Sequence, residues 1–393
     1  MMPSHCPSPP RVLIHVQHLL GTGHLRRAGL IAAQLAASGC NVTLASGGMP
    51  VPGLQLGGTT LVQLPPLASA DSSFSRLVDR AGREVDARWW AVRRDRLLAL
   101  YQQVRPQLVI IESYPFGRRS LRPELLPLLQ RTTESQPRPL LVCSIRDVLH
   151  ARRSPARIDE TVALLERYFD RVMVHGDPSL IGLEESFPAY QRIAERCYYT
   201  GMVAPPPAPL DASAAGEVLV SAGGGATGER LLAAALEARP QCRLRASPWR
   251  LLTGSNLDQP SYRRLQRQAP PGVVVERARI DFRARLGCCA LSISQGGYNT
   301  VTDLLSSNAR SVIVPFEGNG ETEQRQRAER LAQRGLTTVL LERDLTGPAL
   351  AAAIDSSLVA APPRVDAVDL GGATGSVQLL RIWLGSRQQV GPA

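Results

Sequence analysis

Short apolar runs alternate along the chain with longer segments whose apolar residues recur at helical spacing. Val12–Val16 is the first such run. It leads to Gly21 and Gly23 and then to a helical pattern from His24 to about Ser38, which Gly39 should end as the residue just past the helix. Asn41–Ala45 reads as the next strand. This strand, glycine turn, helix and strand predict the opening of a parallel, doubly wound sheet. The rhythm continues through a strand at Thr60–Leu64, an Arg-studded helix at Val85–Val104, and buried strands at Leu108–Ile111, Leu140–Cys143 and Val172–Val174. Pro65 to Gly82 is a long connection, expected to overhang a cleft.

Ala204-Pro205-Pro206-Pro207-Ala208-Pro209 then breaks the pattern with a stiff, extended linker. Beyond it the opening motif restarts: a strand at Glu217–Val220, a glycine turn, and a helix at about Glu229–Ala238. Strands at Arg250–Leu252, Val273–Val275, Ala290–Ile293, Ser311–Val314 and Thr337–Leu341 alternate with helices. A chain of 393 residues is also too long for one ordinary core. The predicted fold class is therefore α/β: two Rossmann-like doubly wound domains, residues 1–206 and 207–393, with a central cleft. Ligands of open parallel sheets sit at the carboxyl ends of the strands, so both glycine turns should face that cleft.

The first turn, Gly21-Thr22-Gly23-His24, lets backbone approach a ligand, although any tight strand–helix junction also needs glycine. An imidazole at a helix N-terminus is kept neutral by the helix dipole and can act as a general base near pH 7. His24 holds that place, with His18 as the rival. Glu112 follows a buried strand and should project at its carboxyl end, where it could orient His24, accept a hydrogen bond from an acceptor hydroxyl, or stand as a solvated loop residue. Arg146-Asp147 occupies an equivalent place without an assignable role.

In the second half, Ser221 to Gly228 brings Gly223, Gly224, Gly225 and Thr227 between strand and helix, a loop able to wrap a diphosphate with main-chain N–H groups. It lacks the Gly-Lys-Ser/Thr ending of a P-loop. Further on, Gly296 and Gly297 end a strand and open a helix, and Asp303 lies about two turns into it, on a face that can reach a ribose. Glu323 and Gln324 stand side by side at another helix start, where a carboxylate and an amide can share the hydroxyls of one sugar. Taken singly, these are polar loops and capped helices. In this order they form a constellation.

The constellation resembles the GT-B glycosyltransferases of family 28, most strongly from Glu217 to about Leu341. The resemblance implies that His24 is catalytic and that Gly223 to Gly225 hold the donor diphosphate. It also implies that Asp303 holds the ribose, and that Glu323 and Gln324 grip the donor sugar. Uridine as the base comes from the resemblance alone. Asp303 stands where the family has Glu, and Glu323 where it has Gln. The expected reaction is an inverting, metal-independent transfer of a hexose-type sugar from a UDP-sugar to a hydroxyl acceptor. The UDP-sugar is a co-substrate; no cofactor and no metal are expected. Gly21-Thr22-Gly23-His24-Leu25-Arg26-Arg27 also resembles nucleotide-sugar hydrolases of the same fold, so a UDP-sugar hydrolase or epimerase is the alternative. A non-catalytic nucleotide-sugar-binding protein is the second alternative.

Composition narrows the partners. The net charge is +11 and every basic residue is Arg, spread along the chain rather than gathered in a tail. Nucleic acid is not expected; contact with a membrane surface and a lipid-linked acceptor are compatible with this charge. Seven cysteines without C-x-x-C spacing indicate neither disulfides nor zinc. With no apolar run near ~20 residues, the expectation is a cytoplasmic protein, with peripheral contact at the inner face of the membrane as the variant.

Overall fold

A computed structural model describes residues 8–54, 56–71, 76–149, 154–222, 228–254, 257–364 and 368–389. The first lobe is built on β1 (Arg11–Val16), β2 (Asn41–Ser46) and β3 (Thr60–Gln63), a short antiparallel pair β4 (Ala68–Ser69) and β5 (Leu77–Val78), then β6 (Leu108–Glu112), β7 (Leu140–Arg146), β8 (Arg171–His175) and β9 (Cys197–Tyr199). Seven of these form one parallel sheet in the order β3-β2-β1-β6-β7-β8-β9. The second lobe has β10 (Val218–Ser221), β11 (Trp249–Thr253), β12 (Val273–Arg277), β13 (Leu291–Ser294), β14 (Ser311–Ile313) and β15 (Thr338–Val339), in the order β12-β11-β10-β13-β14-β15. Both sheets are doubly wound as expected, and the apolar runs predicted their central strands. Val12, Leu13 and Ile14, for example, are at most 1% exposed because helices cover both faces.

Winding reverses between β1 and β6 in the first sheet and between β10 and β13 in the second. These are the switch points, where a crevice opens beyond the strand ends. β1 leads into the helix Gly23–Ala37, and β6 ends on Glu112. β13 leads into the helix Tyr298–Ser307. The candidate residues of each half thus gather where strand order alone places a ligand.

Local chemistry sets the element ends. Gly39 takes φ +91 after the first helix, and its N–H and that of Cys40 return to the Ala36 and Leu35 carbonyls, closing the helix as the sequence indicated. The Arg-studded helix starts at Ala87, two residues later than expected, because the Asp86 side chain accepts from Trp89 N at 2.7 Å. The connection from Pro65 to Gly82 carries the β4–β5 pair. The last predicted strand shrinks to Thr338–Val339.

One expectation needs correction. Residues 207–393 do not all belong with the second sheet. The last helix, Gly372–Gln389, returns to the first lobe, where Val377, Leu380 and Trp383 join Val12, Leu25 and Ile31 in one apolar cluster. Trp383 also meets the Tyr198 ring edge-on at 5.0 Å between centroids. Gly372 permits the return: a Cβ there would lie 2.4 Å from the Gly201 carbonyl oxygen. The chain therefore crosses between the lobes twice.

Candidate active site at the seam between the lobes

His24 is the second residue of its helix, which has no side-chain cap. Its Nδ1 lies 3.0 Å from Glu112 Oε1 and 3.2 Å from Ser113 Oγ. Arg27, one turn along the same helix face, donates to the same carboxylate oxygen. Ser144 Oγ donates to Glu112 Oε2 at 2.6 Å. Glu112 is only 2% exposed. Burial alone would raise its carboxyl pKa, but Arg27 and His24 outweigh burial and hold it below the usual carboxylate range. The His24 pKa is lowered, chiefly by burial and next by Arg118, against the pull of Glu112. The ring is thus neutral at pH 7, as its place at a helix start suggested. With Nδ1–H donated to the carboxylate, the lone pair is on Nε2, which is the tautomer a base requires. His18 is 4% exposed and its Nε2 lies 3.0 Å from the Met49 carbonyl oxygen, so the rival is tied to the loop after β2.

Gly223, Gly224, Gly225 and Thr227 lie outside the described residues. Gly297 caps the helix Tyr298–Ser307 without a side-chain bond, so its first N–H groups are not satisfied by a side chain. Gly296 packs close to the next helix; a Cβ there would meet the Gln324 carbonyl oxygen at 3.1 Å. Asp303, expected to reach a ribose, is gripped by Arg26 of the first lobe at 2.9 and 2.6 Å, and Arg283 Nε lies 3.1 Å away. Glu323 is likewise taken by Arg327 at 2.9 Å and by Arg146. Gln324 Oε1 accepts from Phe316 N at 3.1 Å. Both donor-side carboxylates are buried, and a buried charge must be paired, which is why arginines hold them here.

The two helix starts abut. A Cβ on Gly23 would lie 2.9 Å from Asn299 Nδ2. The Tyr298 ring lies between Arg27 and Arg327, whose guanidinium carbons are 5.2 and 5.6 Å from its centroid. Arg327 forms a bidentate pair with Asp147 of the first lobe, both bonds 2.7 Å. Burial, and next Arg146, push the Arg118 guanidinium down to about 10. The seam is therefore rich in cations and in helix N-termini, a setting that favours an anionic ligand. A cavity of about 100 Å³ opens beside Asp303, against Arg283 and the Pro207–Ala208 linker. Ligand pockets run to roughly 300–1,000 Å³, so this cavity is smaller than an ordinary ligand site.

Of the roles that the sequence left open to Glu112, the structure has the one beside His24; sequence reasoning named Arg26 and Arg27 only within the stretch after the first turn and assigned no role to Tyr298, Arg327, Ser144 or His175. Arg27 three residues after His24 and Arg327 four after Glu323 had the spacing of partners on one helix face. Ser144 and His175 carried no such signal. Among the described residues, no group of three or more His, Cys, Asp or Glu could hold a metal ion.

Residues 218–362 match the glycosyltransferase family 28 C-terminal domain. Over 87 residues the chain is 32% identical to the UDP-N-acetylglucosamine--N-acetylmuramyl-(pentapeptide) pyrophosphoryl-undecaprenol N-acetylglucosamine transferase of Desulforudis audaxviator (strain MP104C). That match covers 22% of this chain and 23% of the relative, so it spans about a quarter of each. Among solved structures, the calicheamicin glycosyltransferase CalG4 aligns with a TM-score of 0.62 at 18% identity, over 98% of this chain and 100% of that one. MurG of Acinetobacter baumannii aligns with a TM-score of 0.58 at 17% identity, over 95% and 100%. These likenesses establish a shared two-lobed fold.

Proposed function

This chain has the GT-B fold and carries the C-terminal domain of glycosyltransferase family 28, and from that premise we propose that it transfers a hexose-type sugar from a UDP-sugar to a hydroxyl acceptor, with inversion and without a metal. The observation that carries the reading is His24, its Nδ1 locked on a buried carboxylate and its helix start set against the second lobe.

In this reading the acceptor hydroxyl approaches Nε2 of His24, which takes its proton as the oxygen bonds to the anomeric carbon. The bond to the diphosphate breaks on the opposite face, so the configuration inverts. The developing charge on UDP is met by the uncapped start of the helix at Tyr298. The ribose takes Asp303 once Arg26 lets go, and Glu323 with Gln324 faces the sugar. Charge stabilisation by arginines and helix dipoles can serve the role that a divalent cation serves elsewhere.

A lipid-linked acceptor at the inner face of a membrane fits the net charge and the relative's name, which includes undecaprenol. Among the described residues, no helix is long and apolar enough to cross a membrane. Contact would then be peripheral, through surfaces such as the exposed Arg88 and Arg96.

The test is turnover of UDP-hexoses with and without an acceptor panel, in the presence of a chelator, with the product's anomeric configuration read by NMR. UDP release only with acceptor, insensitive to chelation and with an inverted product, is expected. Rapid UDP release from donor alone makes the protein a hydrolase. Tight UDP binding with no turnover makes it a binding protein.

A further inference from the structure

We propose that Ser144 and His175 are positioning residues for the base, a buried relay that fixes the Glu112 carboxylate and through it His24. The inference rests on the reading of His24 as the base.

Strand register begins the argument. Glu112 ends β6 opposite Ser144 on β7, and His175 ends β8, the next strand along. Ser144 Oγ lies 2.6 Å from Glu112 Oε2 and 2.9 Å from His175 Nε2, and His175 Nδ1 lies 2.8 Å from Thr200 Oγ1. Ser144 is 1% and His175 0% exposed, so water does not complete these groups. A hydroxyl has one hydrogen, and an ionised carboxylate only accepts. Ser144 must therefore donate to Glu112. His175 must then donate from Nε2 to Ser144, which leaves Nδ1 as an acceptor facing the Thr200 hydroxyl, whose one hydrogen the Gly201 carbonyl at 2.9 Å also accepts. The His175 and Ser144 hydrogens both run toward Glu112. With Oε2 pinned from this side, the carboxylate cannot turn, and Oε1 stays aimed at His24 Nδ1.

A second link ties the relay to the other lobe. Tyr298 donates from its hydroxyl to the His175 carbonyl at 3.0 Å and accepts from Val203 N at 2.7 Å. The charged groups acting on the His175 ring are Arg27 and Glu112. Arg27 also lies against the Tyr298 ring and donates to Glu112. Seating the second lobe and aiming the base thus use the same few atoms.

Nitrogen-15 NMR of the histidines in the intact wild-type protein reads the hydrogens directly. Nε2–H at His175 and Nδ1–H at His24 are expected; a His175 carrying its hydrogen on Nδ1, or charged at pH 7, overturns the proposal. Ser144→Ala should lower kcat about 10²-fold, the effect of a slightly misplaced catalytic group, with donor KM within about twofold. It should also move the acid limb of kcat to higher pH, because a Glu112 carboxylate freed of one donor draws the proton to His24 more strongly. Ser144→Thr, which keeps the hydroxyl, should recover most of the rate. Wild-type kcat and acid limb in Ser144→Ala overturn the relay alone, provided His24→Ala is inactive. An active His24→Ala sinks the base reading itself. If Ser144→Ala does not fold, the NMR tautomers decide.

Discussion

Arg26 of the first lobe holds both carboxylate oxygens of Asp303 in the second, Nη1 to Oδ2 at 2.9 Å and Nη2 to Oδ1 at 2.6 Å. Asp303 is 3% exposed, and Arg283 stands at 3.1 Å from the same carboxylate. An acid read from the sequence as a ribose ligand is thus already satisfied by the protein. In the proposed reaction, donor and Arg26 compete for one carboxylate.

That competition has a measurable sign. The Arg26 side chain is 34% exposed, so its pair resembles a surface ion pair, worth about 1 kcal/mol or less. Arg26→Ala should therefore tighten UDP binding by up to about fivefold, whereas Asp303→Ala should weaken it. Isothermal titration of both variants with UDP decides. If Arg26→Ala weakens binding as much as Asp303→Ala does, Arg26 is a ligand of the nucleotide and not its competitor.

His24→Ala should reduce turnover by about 10²–10⁴-fold while leaving UDP affinity nearly unchanged. The pH profile is the sharper measurement. Because the His24 pKa is lowered, by burial first and Arg118 second, the ring remains unprotonated, and so competent as a base, below the ordinary histidine value of 6.5. The acid limb of kcat/KM should therefore fall clearly under pH 6.5. A limb centred at or above that value would show a solvated imidazole, and His24 would not be the base.

The last helix makes a prediction about unfolding. Trp383 is 7% exposed and shares a cluster with Val12, Leu25 and Ile31 of the first lobe. Trp383→Ala should destabilise that lobe by about 3–5 kcal/mol. In hydrogen exchange, amides of β1 and β6 should lose protection while those of β10 and β13 keep theirs. Equal loss in both lobes would mean that the second lobe cannot stand without the first.

The two-lobed fold was legible because buried parallel strands write themselves as apolar runs, as Val12–Val16 and Leu108–Ile111 do. His24 was legible because it stands behind a glycine turn at a helix start, and Glu112 because it directly follows an apolar run. Trp383 could not be assigned to the first lobe, since an amphipathic stripe does not say which core it faces. Arg26 at Asp303 and Arg146 at Glu323 were hidden for a related reason: each comes from the other lobe, and a charge in the sequence does not say which distant carboxylate it meets. Ser144 and His175 lie within or at the ends of apolar strands, where hydrogen-bond partners are fixed by sheet order alone.

Another buried ion pair, within the first lobe, contributes to that lobe's acid stability. Arg93 and Glu124 are both fully buried. Arg93 donates to Glu124 through Nε and, at 3.0 Å, through Nη2; it also donates to the Gly47 carbonyl at 2.9 Å, the Pro65 carbonyl at 2.5 Å and Gln17 Oε1 at 2.5 Å. Burial would raise the Glu124 carboxyl, but Arg93 and then His15 outweigh it and bring it down to about 2. A folded pKa below the unfolded one contributes stability at high pH that is lost as pH falls. For Glu124 this contribution is complete above the ordinary value of 4.5 and disappears as pH falls through about 2. Glu124→Gln removes the countercharge and should cost about 3–5 kcal/mol at pH 7. Adding Arg93→Met should not restore stability, because the Pro65 carbonyl and Gln17 Oε1 would then lose their donor, at about 1–3 kcal/mol each, while the Gly47 carbonyl keeps the Leu67 N–H. Urea titrations at pH 7 and pH 3.5 separate the terms: wild type should lose more stability between them than Glu124→Gln does. Equal losses would assign the acid lability to other buried carboxylates, with Glu112 and Asp147 the first to examine, since the pKa of each is also lowered.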